Sequence, residues 1–310
     1  MDFLSTLQNV SILFSLILIG YIIGKLKFIS PAGQKEITKL VLYVTMPATI
    51  IMAMQVPFSR DKADNILSLI IIMICCYIGL LSISFLVSFF FKVKSNQKDI
   101  YRVAMVLSNT SFMGYPVVLA LLGQDALFYA VICAGFIFEL VSWTFGTYTI
   151  GRHCNNSSFK TSLKKAILNP GVLSILIGGG LFLANLSIPE PISSTMNMLS
   201  RATSPIAMIV VGLILSNSKI GDAFTNRNIY VVCAFKLLIN PLLISLCLKL
   251  FGFSGIRLIL PVVVLSMPTA AYVAMFSDNL GNDKDLAGQI VFICSLLSLI
   301  TIPLIATFLI

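Results

Sequence analysis

Two stretches of this 310-residue chain put amide, hydroxyl, glycine and proline residues inside otherwise apolar sequence. "LSNTSFMGYPVV" (107–118) holds Ser108, Asn109, Thr110, Ser111, Gly114, Tyr115 and Pro116, and "LPVVVLSMPTAAYVAMF" (260–276) holds Pro261, Ser266, Pro268, Thr269 and Tyr272. Proline lacks the N–H a helix needs and clashes with the preceding turn, at about 3 kcal/mol in a regular helix. At membrane depth such a break is tolerated only where protein or a water-filled cavity covers the freed groups. Breaks at corresponding places in two halves of a chain point to a binding site at the midplane. Half-helix N-termini there each carry about half a positive charge. With Asn109, Thr110, Ser111 and Thr269 they can hydrogen-bond a carboxylate without a full cation. Neither stretch contains an acid. The expected ligand is a small organic anion, a mono- or dicarboxylate. The expected substrate-binding set is Asn109, Thr110, Ser111, Gly114, Tyr115, Pro116, Ser266, Pro268 and Thr269.

Away from the first and last turns of the apolar runs, Glu139 is the only acid, and Arg201 and Lys236 are the only bases. Ionisable groups at membrane depth are functional candidates by default. Arg201 lies near a run's end and can snorkel to the interface. Glu139 and Lys236 are candidates for coupling to a proton or sodium ion, or for a structural pair with each other. No cofactor or metal site is expected. Six of the seven cysteines lie in apolar runs, Cys154 sits in a loop, and no Cys-x-x-Cys occurs, which suits small apolar packing residues.

The elements that must position these residues follow from composition. The chain is 58% hydrophobic and 11% charged, with a mean hydropathy of +0.99; soluble domains sit near 45–50% and about 25%. Ten apolar runs occur, at 7–28, 37–54, 65–91, 100–122, 126–150, 170–186, 192–216, 228–250, 256–277 and 286–309. Continuous runs of about 20 residues, rather than alternating strands of about ten, select membrane helices over a barrel. Only Asp2, and no Lys or Arg, precedes the first run, so it reads as a retained helix rather than a signal peptide. The chain is expected to be an all-α polytopic membrane protein with ten transmembrane helices, the fourth and ninth broken.

The net charge of +9 comes from positives scattered between runs, not from a basic stripe on a soluble face, so nucleic acid is not an expected partner. The connectors after the first, third, fifth, seventh and ninth runs carry fifteen Lys and Arg. The opposite loops carry four, Arg60, Lys62, Lys249 and Arg257. The positive-inside rule places the basic loops in the cytoplasm and both termini outside a cell membrane.

The longest connector, 151–169, is polar and basic and divides the chain into 1–150 and 170–310, five runs each. At an offset of 158, Leu18, Ile19, Gly20 and Pro31 fall on Leu176, Ile177, Gly178 and Pro189. Thr45 and Pro47 fall on Thr203 and Pro205, and Cys75 on Cys233. Five is odd, so a second copy crosses the membrane in the opposite sense, the inverted repeat of many secondary transporters.

A carrier is therefore the first functional reading. A channel or facilitator is the alternative, though no charge ring or repeated filter appears. Enzymes and ATP-driven pumps lack their motifs: there is no His-Glu-x-x-His, no Gly-x-Ser-x-Gly and no Gly-x-x-x-x-Gly-Lys. His153, the only histidine, lies in a basic loop.

"NTSFMGYPVVLALLGQDALFYAV", "VVVLSMPTAAYVAMFSDNLGNDKDLAGQIVFICSLLSLITIP" and "GYIIGKLKFISPAGQKEITKLVLYVTMPA" resemble the auxin efflux carrier (AEC) family, which includes plant auxin exporters and bacterial malate or malonate carriers. The resemblance spans essentially the whole chain and, without a long cytoplasmic loop, fits the compact bacterial type. It implies two inverted five-helix repeats whose broken helices four and nine cross at the substrate site. It also implies a scaffold of helices one, two, six and seven that pairs two protomers, and an elevator-like domain of the other six. By position, Asn109 and Pro116 match the first crossover. Pro268 matches the second, where no Asn stands beside it and Ser266 and Thr269 are the nearest polar groups.

Overall fold

The computed structural model describes residues 3–154, 163, 166–217 and 223–308. Most of the 151–169 connector, with Lys160, Lys164 and Lys165, lies outside the described residues, as do Lys219 and Ile310. The described residues are largely helical: α1 (Phe3–Lys25), α2 (Pro31–Ala53), α3 (Arg60–Phe89), α4 (Ser95–Val106), α5 (Thr110–Leu122), α6 (Gln124–Gly151), α7 (Pro170–Leu183), α8 (Ile192–Ser216), α9 (Arg227–Leu250), α10 (Ile256–Leu265), α11 (Tyr272–Leu280) and α12 (Lys284–Phe308). Among the described residues the only β pairing is an isolated bridge. Six helices, α2, α3, α6, α8, α9 and α12, are each long and apolar enough to cross a membrane.

The fourth and ninth apolar runs are split, into α4 and α5 and into α10 and α11. Elsewhere the breaks are milder. Wide π turns occupy Val41–Thr45, Thr110–Gly114 and Phe235–Ile239, each just before a proline: Pro47, Pro116 and Pro241. The missing N–H cannot close a regular turn, and widening absorbs the misfit. Two further π turns, Ala130–Gly135 and Ser142–Gly146, flank Glu139 without a proline. Around the second, Thr144 and Thr147 donate their hydroxyls to Leu140 and Trp143 carbonyls, competing with the helical ladder.

α3 shows why the fold needs lipid. Leu67, Ile71, Ile74, Ile78, Phe85 and Phe89 form an exposed stripe at helical spacing, while Leu69, Ile72, Met73, Tyr77 and Leu80 are buried behind it. In water this much contiguous apolar surface would be an aggregation site.

Glycines set the closest helix contact. A Cβ on Gly20 of α1 would stand 2.2 Å from the Ile209 carbonyl oxygen of α8, and one on Gly212 would stand 2.1 Å from that of Ile17. α2 joins α8 through Thr49, whose Oγ1 lies 2.8 Å from Thr203 Oγ1, and α7 lays Gly178 against Ile51 of α2 and Met54 just after it. A second brace is polar. Asp99 on α4 is fully buried and accepts from Arg102 (2.9 Å) and Arg152 (2.6 Å), with His153 at 3.4 Å. This bonding raises the Arg152 pKa. Asn282 and Asp283, between α11 and α12, bond Asn96 and Gln97 in the first turn of α4, tying the two interrupted helices together.

Candidate functional site

The two breaks cross each other. Beyond Val106 the chain is extended at Leu107, and Asn109 (φ −74°, ψ 63°) caps α5 with its carbonyl, which accepts from Gly114 N–H at 2.8 Å. The Asn109 N–H donates to the Pro268 carbonyl (2.8 Å), and the Ala270 N–H donates to that of Leu107 (2.9 Å). Ser108 lies opposite Thr269 in an antiparallel bridge. Each break thus supplies the backbone partners that the other lost, the closure that lipid demands.

All nine residues of the expected binding set are buried at or beside this crossing. Most of their side chains are already engaged. Thr269 Oγ1 donates to the Ala104 carbonyl (3.0 Å), Ser266 Oγ to Val263 (2.7 Å), Thr110 Oγ1 to Ser108 (3.4 Å) and Ser111 Oγ to Glu139 (3.2 Å). Among the described residues, no group bonds Asn109 Nδ2 or the Tyr115 hydroxyl, both of them buried. Gly135 makes room for that hydroxyl, since a Cβ there would overlap it. An unpaired buried amide N–H₂ is costly unless a ligand or water meets it.

Glu139 and Lys236 occupy opposite poles of the crossing and do not pair with each other. Glu139, 2% exposed, sits by the half-helix N-termini. Its Oε1 accepts from Ser111 at the start of α5 and from Tyr272 at the start of α11, both at 3.2 Å, and its Oε2 accepts from Trp143 Nε1 at 3.0 Å. The acid absent from both polar stretches is therefore brought to both by α6. Gly171, beside the Asn169 cap of α7, lets the Glu139 carboxyl approach that helix's N-terminus as well. Lys236 lies at the C-terminal ends, its Nζ 2.7 Å from Ser108 Oγ and 3.3 and 3.4 Å from the Val106 and Met105 carbonyls. Arg201 is exposed, as expected.

A cavity of about 1010 Å³ leads to the Glu139 pole. Phe112, Glu139, Trp143, Ala271 and Tyr272 line its inner part, while Gln34, Lys35, Lys39, Asn217, Asp278 and Lys284 line the rest. None of the nine expected binding residues reaches its wall. Tyr272 is held among aromatic rings, stacked on Phe138 with centroids 5.5 Å apart and edge-on to Phe112 and Trp143. Lys35 of α2 and Asp278 of α11 pair at 3.5 Å across the exposed part.

Phe112, Trp143 and Asn169 join the site without having been singled out in the sequence. Trp143 had a signal, standing four residues after Glu139 and so on the same helix face. Asn169 had another, a helix cap followed by Pro170. Phe112 had none, because one more aromatic in an apolar span is unremarkable.

Comparison with known proteins points to membrane transporters. The chain is 28% identical over 301 residues to an uncharacterized transporter of Methanocaldococcus jannaschii, covering 95% of this chain and 96% of the relative. It is 27% identical over 312 residues to an uncharacterized transporter of Methanothermobacter thermautotrophicus, covering 98% of each. The family described as "Membrane transport protein" matches residues 5–150 and 152–306. These are transporters and not enzymes. A chain matched over nearly its full length, with its two interrupted helices crossing beside a cavity, belongs to the membrane transport protein family, the auxin efflux carrier family that its motifs resemble.

Proposed function

We propose that this membrane transport protein is a secondary carrier that moves a small organic anion, a mono- or dicarboxylate, across the cell membrane by an elevator-type alternating-access cycle. The observation that carries the reading is the crossing itself, with a buried, unpaired Asn109 amide beside it and a cavity approaching from one face. The half-helix N-termini favour an anion, and the buried Asn109 amide offers it a donor. Glu139 already takes the Ser111, Tyr272 and Trp143 donors for its own carboxylate, so the substrate binds beside that group rather than in its place. The same acid favours one rival, an organic cation held by Glu139.

The cavity lies between α2 and α8 on one side and α5, α6, α11 and α12 on the other. This suits a scaffold of α1, α2, α7 and α8, able to pair two protomers, with the remaining helices moving as a unit. In this reading 1–150 and 170–310 are inverted repeats, and the bond from the Asn109 N–H to the Pro268 carbonyl is mirrored by that from the Ala270 N–H to the Leu107 carbonyl. Both termini are outside, and the cavity, with Lys35, Lys39 and Lys284 in its wall, opens to the cytoplasm.

Binding of a panel of carboxylates and their neutral amide analogues to purified protein tests the substrate class. Carboxylate-selective binding, lost in a folded Asn109→Ala variant, is expected. Equal binding of acid and amide refutes the anion, and preferential binding of amines supports the cation. In proteoliposomes, saturable uptake with counterflow separates a carrier from an ohmic channel.

A further inference from the structure

We propose that Lys236 is the built-in counter-cation of the crossing, standing where a mobile sodium ion would otherwise be held, so that the C-terminal pole of the crossing takes no sodium. The inference rests on the transporter reading for the idea of coupling, but its geometry is independent of which substrate is carried.

The negative ends of two half-helices meet at one place. α4 ends at Val106 and α10 at Leu265, and Ser108 connects them: its hydroxyl accepts from Lys236 Nζ at 2.7 Å and donates to the Leu265 carbonyl at 3.3 Å. Each helix C-terminus carries about half a negative charge, so two amount to about one, which a single ammonium balances. Carbonyl and hydroxyl oxygens converging from half-helix C-termini are also the ligands that transporters use for sodium. Here they converge on Nζ.

The position is fixed from the other side too. Lys236 lies in the wide turn Phe235–Ile239 ahead of Pro241 and is fully buried. Among the described residues no carboxylate pairs with it. An ammonium has three donor hydrogens, and three acceptors are present: Ser108 Oγ, Val106 O and Met105 O. None is left for an anionic substrate, and Lys236 is absent from the cavity wall. A tethered cation in this place cannot be exchanged with solvent, so no sodium gradient can be spent through it.

The test uses full-length protein and needs no substrate. Thermal unfolding of the wild type and of Lys236→Ala is measured in sodium chloride and in choline chloride at equal ionic strength. The wild type should show the same midpoint in both. Lys236→Ala should unfold lower in choline, and sodium should raise its midpoint by a few degrees, saturably, as a ligand that binds only the folded state does. Lys236→Arg, which keeps the charge, should lack the sodium response. A sodium-specific rise in the wild type, or a folded Lys236→Ala indifferent to sodium, overturns the proposal. If Lys236→Ala does not fold, the wild type still decides: sodium-dependent stability or counterflow refutes the idea, and equal behaviour in both salts upholds it. Loss of carboxylate binding, by contrast, would strike the substrate reading and leave these midpoints untouched.

Discussion

Replacing Glu139 by glutamine exchanges one carboxylate oxygen for an N–H₂ group, and the surroundings dictate the outcome. Oε1 serves Ser111 and Tyr272, and Oε2 serves Trp143. The better amide orientation keeps its oxygen for the first two and turns its N–H₂ toward the indole N–H, two donors about 3.0 Å apart. One bond is lost and one buried donor is stranded, a cost of about 1–3 kcal/mol. Trp143 is only half-buried in the cavity wall, so water relieves part of this and about 1–2 kcal/mol is expected. Trp143→Phe removes the opposing donor. Glu139→Gln should then cost less in that background, leaving a coupling energy of about 1 kcal/mol in the double-mutant cycle. Thermal unfolding in detergent, followed with a dye that reacts with the buried Cys133, Cys233 and Cys294 as they become exposed, measures all four proteins. Trp143 is the sole tryptophan, so its emission should also change in Glu139→Gln. Fully additive costs with unchanged emission would mean that the Glu139–Trp143 bond is absent.

Three further outcomes are expected. Gly212→Ala should destabilise by about 1–3 kcal/mol, because its Cβ would meet the Ile17 backbone; Gly180→Ala should cost less, because a Cβ there meets open space. Thermal unfolding of the two variants compares them directly, and equal losses would count against the close α1–α8 crossing. Asp99→Asn should lower stability by about 1–3 kcal/mol, since Arg102 and Arg152 lose a buried ionic acceptor but are exposed enough to reach water; an unchanged midpoint would mean that this brace carries no load. A reporter active only in the cytoplasm, fused after Ile310, should stay silent, and a strong signal would reverse the topology.

The apolar runs fixed where helices lie, because span length is a one-dimensional quantity. Their starts were less legible. α2 begins at Pro31 rather than 37 and α3 at Arg60 rather than 65, because Ser30 and Ser59 cap polar first turns that hydropathy does not register. The breaks at Asn109–Pro116 and Ser266–Thr269 were readable from proline and hydroxyl content. That Thr269 and Ser266 spend their hydroxyls on neighbouring carbonyls was not, since it depends on the local path of the chain. Glu139 and Lys236 announced themselves by charge. Their separation to opposite poles, one at helix N-termini and the other at C-termini, exists only once α6 and α9 pack on the crossing, through contacts 128 to 133 residues apart in sequence.

The contact between Gly20 and Gly212 also has a consequence in time. α1 leaves the ribosome well ahead of α8, yet the surface made to receive it is on α8, about 190 residues further along the chain. At synthesis rates of roughly 5–20 residues per second, that is an interval of about ten to forty seconds. Throughout it the groove side of α1 has only lipid against a face shaped for a backbone. α1 therefore waits long for its final neighbour, and anything that holds it in place meanwhile, lipid or insertion machinery, must let go when α8 arrives.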